Sequence, residues 1–384
     1  MSNRKIDVII PAYKAQGTIL RTLSSIATQS ILEDVEVTIV NDACPNGDYQ
    51  EFVKMFSPYF PIREVRLDVN GGPGVARQKG IDETHNDYFT CIDADDTFAS
   101  AIALETLRTA IEEPLIMTNG QRINNAYKCV TSTFIQLGED LKHMVAHQGG
   151  DMVWVFGKLY RRDFIEKYKI RFNETRANED TGFNTWVRLI CDRPDEQVKA
   201  IPEATYFWHN KVDSITRINN GQYQYDQCLC GWTDNMIYAI QNARKIRPFN
   251  GTITQWIVHV MIELYYYYVE CHKNKPVFAE QAWEYVKKFY NTCYKSIKDT
   301  ISDEAFSEMF SMDSMNKWQQ GGLIGVIPHI GIREFMTKLE NEEYNPDDIY
   351  KVWEKIPEDL KQNNIKCGVC PEGYATKKET DNEA

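Results

Sequence analysis

The chain has 384 residues, long for one domain, so two domains are expected. Apolar residues make up 43% and charged residues 26%, as in an ordinary soluble globular protein. The net charge of −12 argues against a broad basic surface for nucleic acid or anionic lipid, but allows a local basic groove. The longest apolar stretch, Ile253 to Val269, contains His259 and Glu263 and is too short and too polar for a membrane span. No basic and apolar leader opens the sequence. Ten cysteines are scattered without a framework, and Cys91, Cys191 and Cys271 fall in apolar runs. That pattern fits reduced thiols and a cytoplasmic location.

In chain order, Ile6–Ile10 is a β-rich run stopped by Pro11. Thr18 begins a helical pattern with Ile19, Leu20, Leu23, Ile26 and Ala27 on one face. Val35–Val40 reads as a second strand, followed by turn residues from Asn41 to Gly47. Ile62–Leu67 is a third strand, and Asn70-Gly71-Gly72-Pro73-Gly74 is a tight loop feeding a helix from about Val75. A fourth strand ends at Asp93, and a helix spans about Ser100 to Glu112. Strands alternating with helices imply βαβ crossovers and a mostly parallel sheet. Such sheets bind ligands beyond the carboxyl ends of their strands. Pro11-Ala12-Tyr13, Asp42, the glycine loop and Asp93–Asp96 are therefore expected on one rim.

Leu115 to about Phe134 is mixed and β-rich, and a helix is expected through about Tyr168. Asn178-Glu179-Asp180 opens another helix, with Phe183, Trp186, Val187 and Ile190 as its apolar stripe. Long helical patterns follow over about Tyr223–Lys245, Thr252–His272 and Pro276–Ile297. The end, from Ala375, is polar and expected to be disordered. The division expected is a catalytic domain over 1–217, a helical accessory domain over 218–371 and a tail over 372–384.

Asp93-Ala94-Asp95-Asp96 follows a buried apolar run. Three carboxylates there are costly to desolvate unless paired, and a hard divalent cation suits them. A cation with few protein ligands keeps positions open for a substrate diphosphate. An acidic turn capping the next helix is the competing explanation. The same applies to Glu179 and Asp180, since acids favour a helix N-terminus.

Taken together, these segments resemble the family-2 glycosyltransferases of GT-A fold, over roughly residues 5–217. Val8–Tyr13 looks like the family's opening strand, and Ile39–Asp42 like its second, usually V-D-D-G-S. Asn70–Ile81 resembles N-x-G-x-x-x-A-R-N-x-G, and Asp93–Asp96 the D-x-D-D metal motif. Asn178–Asp180 resembles the E-D pair, and Trp208-His209 through Thr216 the closing segment. Two departures stand out. Asn41 and Ala43-Cys44-Pro45 replace Asp and Gly-Ser, and His209 stands where Arg is usual.

The resemblance implies a Rossmann-like α/β domain of GT-A type followed by a mainly α-helical C-terminal domain. It implies an inverting glycosyltransferase using a nucleotide-diphosphate sugar, with UDP-sugar favoured. Asp180, beside Glu179, would take the proton from the acceptor hydroxyl. Asp95, helped by Asp93 and with His209 as a further candidate ligand, would hold Mn²⁺ or Mg²⁺ against the diphosphate. Pro11, Tyr13, Asp42, Gly72, Arg77, Asp93, Ala94 and His209 would line the donor site. Asp42 would accept from the nucleobase, and Arg77 would face the base or phosphate side.

The acceptor expected is a glycan, lipid-linked glycan or protein, with a hydroxymethylated DNA base as the alternative. For DNA, Lys158-Arg161-Arg162 and Arg244-Lys245-Arg247 could supply a local basic face. A nucleotidyltransferase and a non-catalytic sugar-nucleotide binder are the rival classes. The C-terminal helices could pair two copies into a homo-oligomer. Cys367 and Cys370 have half of a zinc-ribbon spacing. The aromatic band Tyr265–Tyr268 could stack on ligand or pack a core.

Overall fold

The computed structural model describes residues 4–138, 144–147, 153–175, 177–192, 196–209, 229–248, 250–274, 279–301, 331–345, 348 and 354–355. The chain divides into two compact units, residues 1–219 with 234–253, and residues 220–233 with 254–384. Cys367, Cys370 and the polar tail lie outside the described residues.

In the first unit, β1 (Ile6–Ala12), α1 (Ile19–Ala27), β2 (Val35–Asn41), α2 (Gln50–Phe56), β3 (Ile62–Arg66), α3 (Pro73–Glu83) and β4 (Tyr88–Cys91) alternate as the periodicity predicts. Next come β5 (Thr97–Phe98), α4 (Ala103–Glu112), β6 (Leu115–Ile116), β7 (Arg122–Ile123), β8 (Tyr127–Leu137) and β9 (Met144–His147). β10 (Lys158–Arg161), α5 (Arg162–Lys167), α6 (Glu179–Cys191), β11 (Gln197–His209) and α7 (Trp232–Ile246) complete the described elements.

The main sheet runs β3-β2-β1-β4-β10-β8-β11-β5, with β9 paired to β8. Its first four strands are parallel. Beyond β4 the sheet is mixed, because β10 runs antiparallel to both β4 and β8. β11 lies parallel to β8 and antiparallel to β5. Two reversals around β10 restore the direction of β4, so β8 and β11 end on the same rim as β1, β2 and β4.

Packing explains the N-terminal half. Ile6, Val8, Ile9 and Ile10 of β1 are all fully buried, as expected for a strand covered on both faces. Gly80 lets α3 lie close to the sheet. A Cβ there would come within 2.3 Å of Ile9 Cγ2. Asp7 is buried and ion-paired with Arg162 at 2.9 Å, while Asn86 donates to it through both its main-chain and side-chain nitrogens.

That pair corrects one expectation. Lys158, Arg161 and Arg162 form no exposed basic face, since all three are buried. Arg162 spends its donors on Asp7, Thr84 and the carbonyls of Ile81 and Asn86.

In the second unit, α8 (Gly251–Asn274) continues from residue 254 and is joined by α9 (Ala279–Phe289) and α10 (Ile332–Asn341). Tyr265, Tyr268, Trp283 and Phe335 are buried and form its aromatic centre. Tyr265 and Phe335 ring centroids lie 4.7 Å apart, so this part of the aromatic band packs a core. No helix among the described residues is long and apolar enough to cross a membrane.

Candidate active site

The rim at the carboxyl ends of β1, β2 and β4 gathers the polar residues marked in the sequence. Asp42 follows β2 and is buried. Its Oδ1 accepts the Gly71 N–H at 2.7 Å, and its Oδ2 accepts the Gly72 N–H and Asn70 Nδ2, each at 2.9 Å. Asp42 therefore folds the glycine loop. Gly72 has φ +86°, which side chains other than glycine's disfavour, and it precedes Pro73 at the first position of α3. Pro11 lies in β1 just before the rim, and Tyr13 beyond it is 46% exposed.

α3 points Arg77 inward. Its Nη1 donates to Glu179 Oε1 and its Nη2 to Asp93 Oδ1, both at 2.8 Å. The guanidinium expected to face the donor is thus buried between two protein carboxylates. Gly74, one turn earlier, makes the approach of α6 feasible. A Cβ at that position would lie 2.6 Å from Glu179 Cγ.

Asp93 begins the turn after β4, closed by the Asp96 N–H donating to the Asp93 carbonyl at 3.0 Å. Asp93 and Asp95 are half-buried, while Ala94 and Asp96 are buried. Asp96 accepts the Tyr206 hydroxyl at 2.6 Å and the His209 N–H at 2.7 Å. Tyr206 also accepts the Asp93 N–H at 3.2 Å. β11 thereby fixes the acidic turn from the far side. Burial, then the charges of Asp93 and Asp95, hold the Asp96 carboxyl well above the usual range. His209 Nε2 shares a 3.0 Å hydrogen bond with Thr97 Oγ1.

Asn178, at φ +57°, turns the chain into α6 and sets Glu179 and Asp180 in its first turn. The two acids have different environments. Glu179 is buried in its ion pair with Arg77. Asp180 is half-buried and accepts the Thr181 N–H at 2.8 Å. Burial, and next the charge of Glu179, push the Asp180 carboxyl up to about 7 against the pull of Arg77. A carboxylate near that value is suited to general-base work at neutral pH.

Among the described residues, no three His, Cys, Asp or Glu side chains converge into a metal site. A cation brought with a diphosphate needs only one or two protein carboxylates, with substrate oxygens and water completing the shell. Asp95 and Asp93 supply hard oxygen donors of that kind. Both are half-buried in the turn after β4, so this donor set fits Mn²⁺ or Mg²⁺.

Sequence reasoning missed Tyr206 and the bridging role of Arg77. The only signal for Tyr206 was its place three residues before His209.

Residues 7–169 match the family model described as Glycosyl transferase family 2. The chain is 27% identical over 231 residues to EpsJ of Bacillus subtilis, an uncharacterised glycosyltransferase, covering 56% of this chain and 63% of EpsJ. It is 28% identical over 245 residues to YibD of Escherichia coli, also an uncharacterised glycosyltransferase, covering 59% of this chain and 68% of YibD. Its fold is similar to that of S. aureus TarS residues 1–349, solved in complex with UDP-GlcNAc. The TM-score is 0.64 at 14% identity, covering 94% of this chain and 93% of that one. The fold is GT-A, and residues 7–169 are similar to the family-2 glycosyltransferases.

Proposed function

We propose that the protein transfers a sugar from a nucleotide-diphosphate sugar to an acceptor hydroxyl in one inverting displacement. The observation that carries this reading is the pairing of a half-buried Asp180, its carboxyl raised to about 7, with an acidic turn tied to the same helix through Arg77. Asp180 takes the proton from the acceptor hydroxyl as it attacks the anomeric carbon. Glu179 anchors the first turn of α6 and adds the negative charge that keeps Asp180 basic. Asp95, with Asp93, would hold Mn²⁺ or Mg²⁺, with His209 as a further candidate ligand. Such a cation would supply positive charge against the diphosphate leaving group.

Pro11, Tyr13, Asp42 and Gly72 would border the nucleoside, while Ala94 packs into the core beneath the acidic turn. UDP-sugars are the favoured donors, and UDP-GlcNAc, which TarS binds, is the first to try. The acceptor we favour is a glycan. The test is nucleotide-diphosphate release from a panel of sugar nucleotides, with Mn²⁺, Mg²⁺ or EDTA, by the wild type and by Asp95→Ala. Release from one donor that EDTA and the substitution both abolish supports the reading. Release indifferent to both removes the metal role.

A further inference from the structure

A second feature lies on β8, β9 and β11, next to the strand that fixes the acidic turn. In the parallel register of β8 and β11, Tyr206 pairs with Phe134 and Trp208 with Gln136. Paired residues share a sheet face, so Tyr206 and Trp208 lie on one face with Phe134 and Gln136. β9 extends that face, because His147 pairs with Phe134. Phe134 stacks on the His147 ring at 4.4 Å, and Phe156 stacks on Tyr206 at 4.5 Å. Trp154 and Trp208 close this aromatic surface, with centroids 6.2 Å apart and ring planes 43° apart. The other aromatics are largely covered, whereas both tryptophans are half-buried at the edge of the core they pack against.

Two sets of contacts connect this surface to the chemistry. Tyr206, on the same face as Trp208, donates to Asp96 of the acidic turn. Asn184 donates from Nδ2 to the Trp154 carbonyl at 2.9 Å and to the Val153 carbonyl at 3.2 Å. Asn184 follows Asp180 by four positions on α6, so the two share one helix face. The Trp154 main chain is thus tied one turn from the proposed base, and Trp208 sits one residue from His209. A group lying across the two rings would lie beside the strand end that holds the acidic turn.

The geometry points to Trp154 and Trp208 as a stacking platform for a pyranose ring of a carbohydrate acceptor. This rests on the glycosyl-transfer reading and names the acceptor class for that site. A pyranose presents a face of C–H groups, which meets the negative face of an indole, while its hydroxyls stay at the edge. Gln136 and His147 bring polar groups to that edge, with His147 Nε2 and Gln136 Oε1 at 3.3 Å. A nucleic-acid base could also stack on indoles. The net charge of −12 and the burial of Lys158, Arg161 and Arg162 favour the neutral sugar over a polyanion.

The test uses the full chain labelled with 5-fluorotryptophan, its Trp154 and Trp208 signals assigned from W154F and W208F. Neutral gluco-, galacto-, manno- and chito-oligosaccharides and a single-stranded oligodeoxynucleotide are titrated in the presence of UDP. An oligosaccharide is expected to shift both signals, and W154A or W208A should weaken its binding about tenfold, the size of one lost ring contact. W154F and W208F, which keep a ring, should bind more tightly than the alanine variants. That order separates stacking from a general loss of structure. Signals unmoved by every oligosaccharide, or moved by the oligodeoxynucleotide alone, overturn the platform. UDP release by the unsubstituted protein is followed in parallel. Release with unmoved signals removes only the platform, whereas no release removes the transfer reading beneath it.

Discussion

The guanidinium of Arg77 lies 2.8 Å from the carboxylate of Glu179, a residue 102 positions further along the chain. The same guanidinium reaches Asp93 with its other terminal nitrogen. One buried cation therefore sets the spacing between the acidic turn and the helix that carries the proposed base. Removing it strands a buried carboxylate. Arg77→Met is expected to lower unfolding free energy in urea by roughly 3–5 kcal/mol. Arg77→Lys keeps the charge, but one ammonium cannot reproduce the fork, so activity should fall more than stability. A stability loss for Arg77→Met under about 1 kcal/mol, the range of an exposed pair, would contradict the bridging role.

Asp180→Asn should cost on the order of 10²–10⁴ in turnover, the usual contribution of a positioned base. The same change should stabilise the fold at neutral pH. The Asp180 carboxyl is raised from 3.8 to about 7, so ionising it opposes folding. Its contribution is intact below pH 3.8 and is lost as pH rises to about 7. Thermal midpoints of the two proteins should therefore separate as pH rises, by the equivalent of roughly 1–3 kcal/mol, and converge near pH 4. Equal midpoints at pH 8 would mean that Asp180 is not held in a site that resists its charge.

The pH dependence of turnover follows from the same group. A base must be deprotonated, so kcat/KM should drop about tenfold per pH unit below about 7 and level off above it. The limb is absent if another group takes the proton. In Asp180→Asn the residual rate should lose this limb.

Gly74→Ala places a Cβ 2.6 Å from Glu179 Cγ and 2.9 Å from its Cβ. The first turn of α6 must shift to admit it. Turnover should fall about a hundredfold, as small misplacements of reacting groups do, while unfolding changes by about 1–3 kcal/mol. Gly80→Ala strikes Ile9 in the core instead, so it should reduce stability with less effect on the residual folded protein's rate.

Much of the N-terminal half was legible because its signals are local. The Ile6–Pro11 run, the loop from Asn70 to Gly74 and the acids at 93–96 and 179–180 each lie within a few consecutive residues. The elements they announce are β1, α3, the turn after β4 and α6. The boundaries moved slightly: α3 begins at Pro73 rather than Val75, and α4 at Ala103 rather than near Ser100. The mixed half of the sheet was not legible. β11 adds in parallel to β8 but antiparallel to the two-residue β5, and no periodicity records such pairings.

Long-range polar pairing was equally hidden. Arg77 occupies a motif position that suggests ligand contact, yet its partners are set by packing 16 and 102 residues away. Asp42 read as a nucleobase acceptor, and its carboxylate oxygens hold the glycine loop. Tyr206 carried no mark beyond its nearness to His209, because a tyrosine in a strand is equally suited to a core and to a hydrogen-bond network.

The most direct single measurement compares the wild type with Asp180→Asn for UDP release from UDP-GlcNAc, with UDP affinity of both proteins taken by calorimetry. The expected result is equal UDP binding, release by the wild type and almost none by the variant. Release by Asp180→Asn at the wild-type rate, with UDP bound equally, would contradict Asp180 as the base and with it the proposed mechanism.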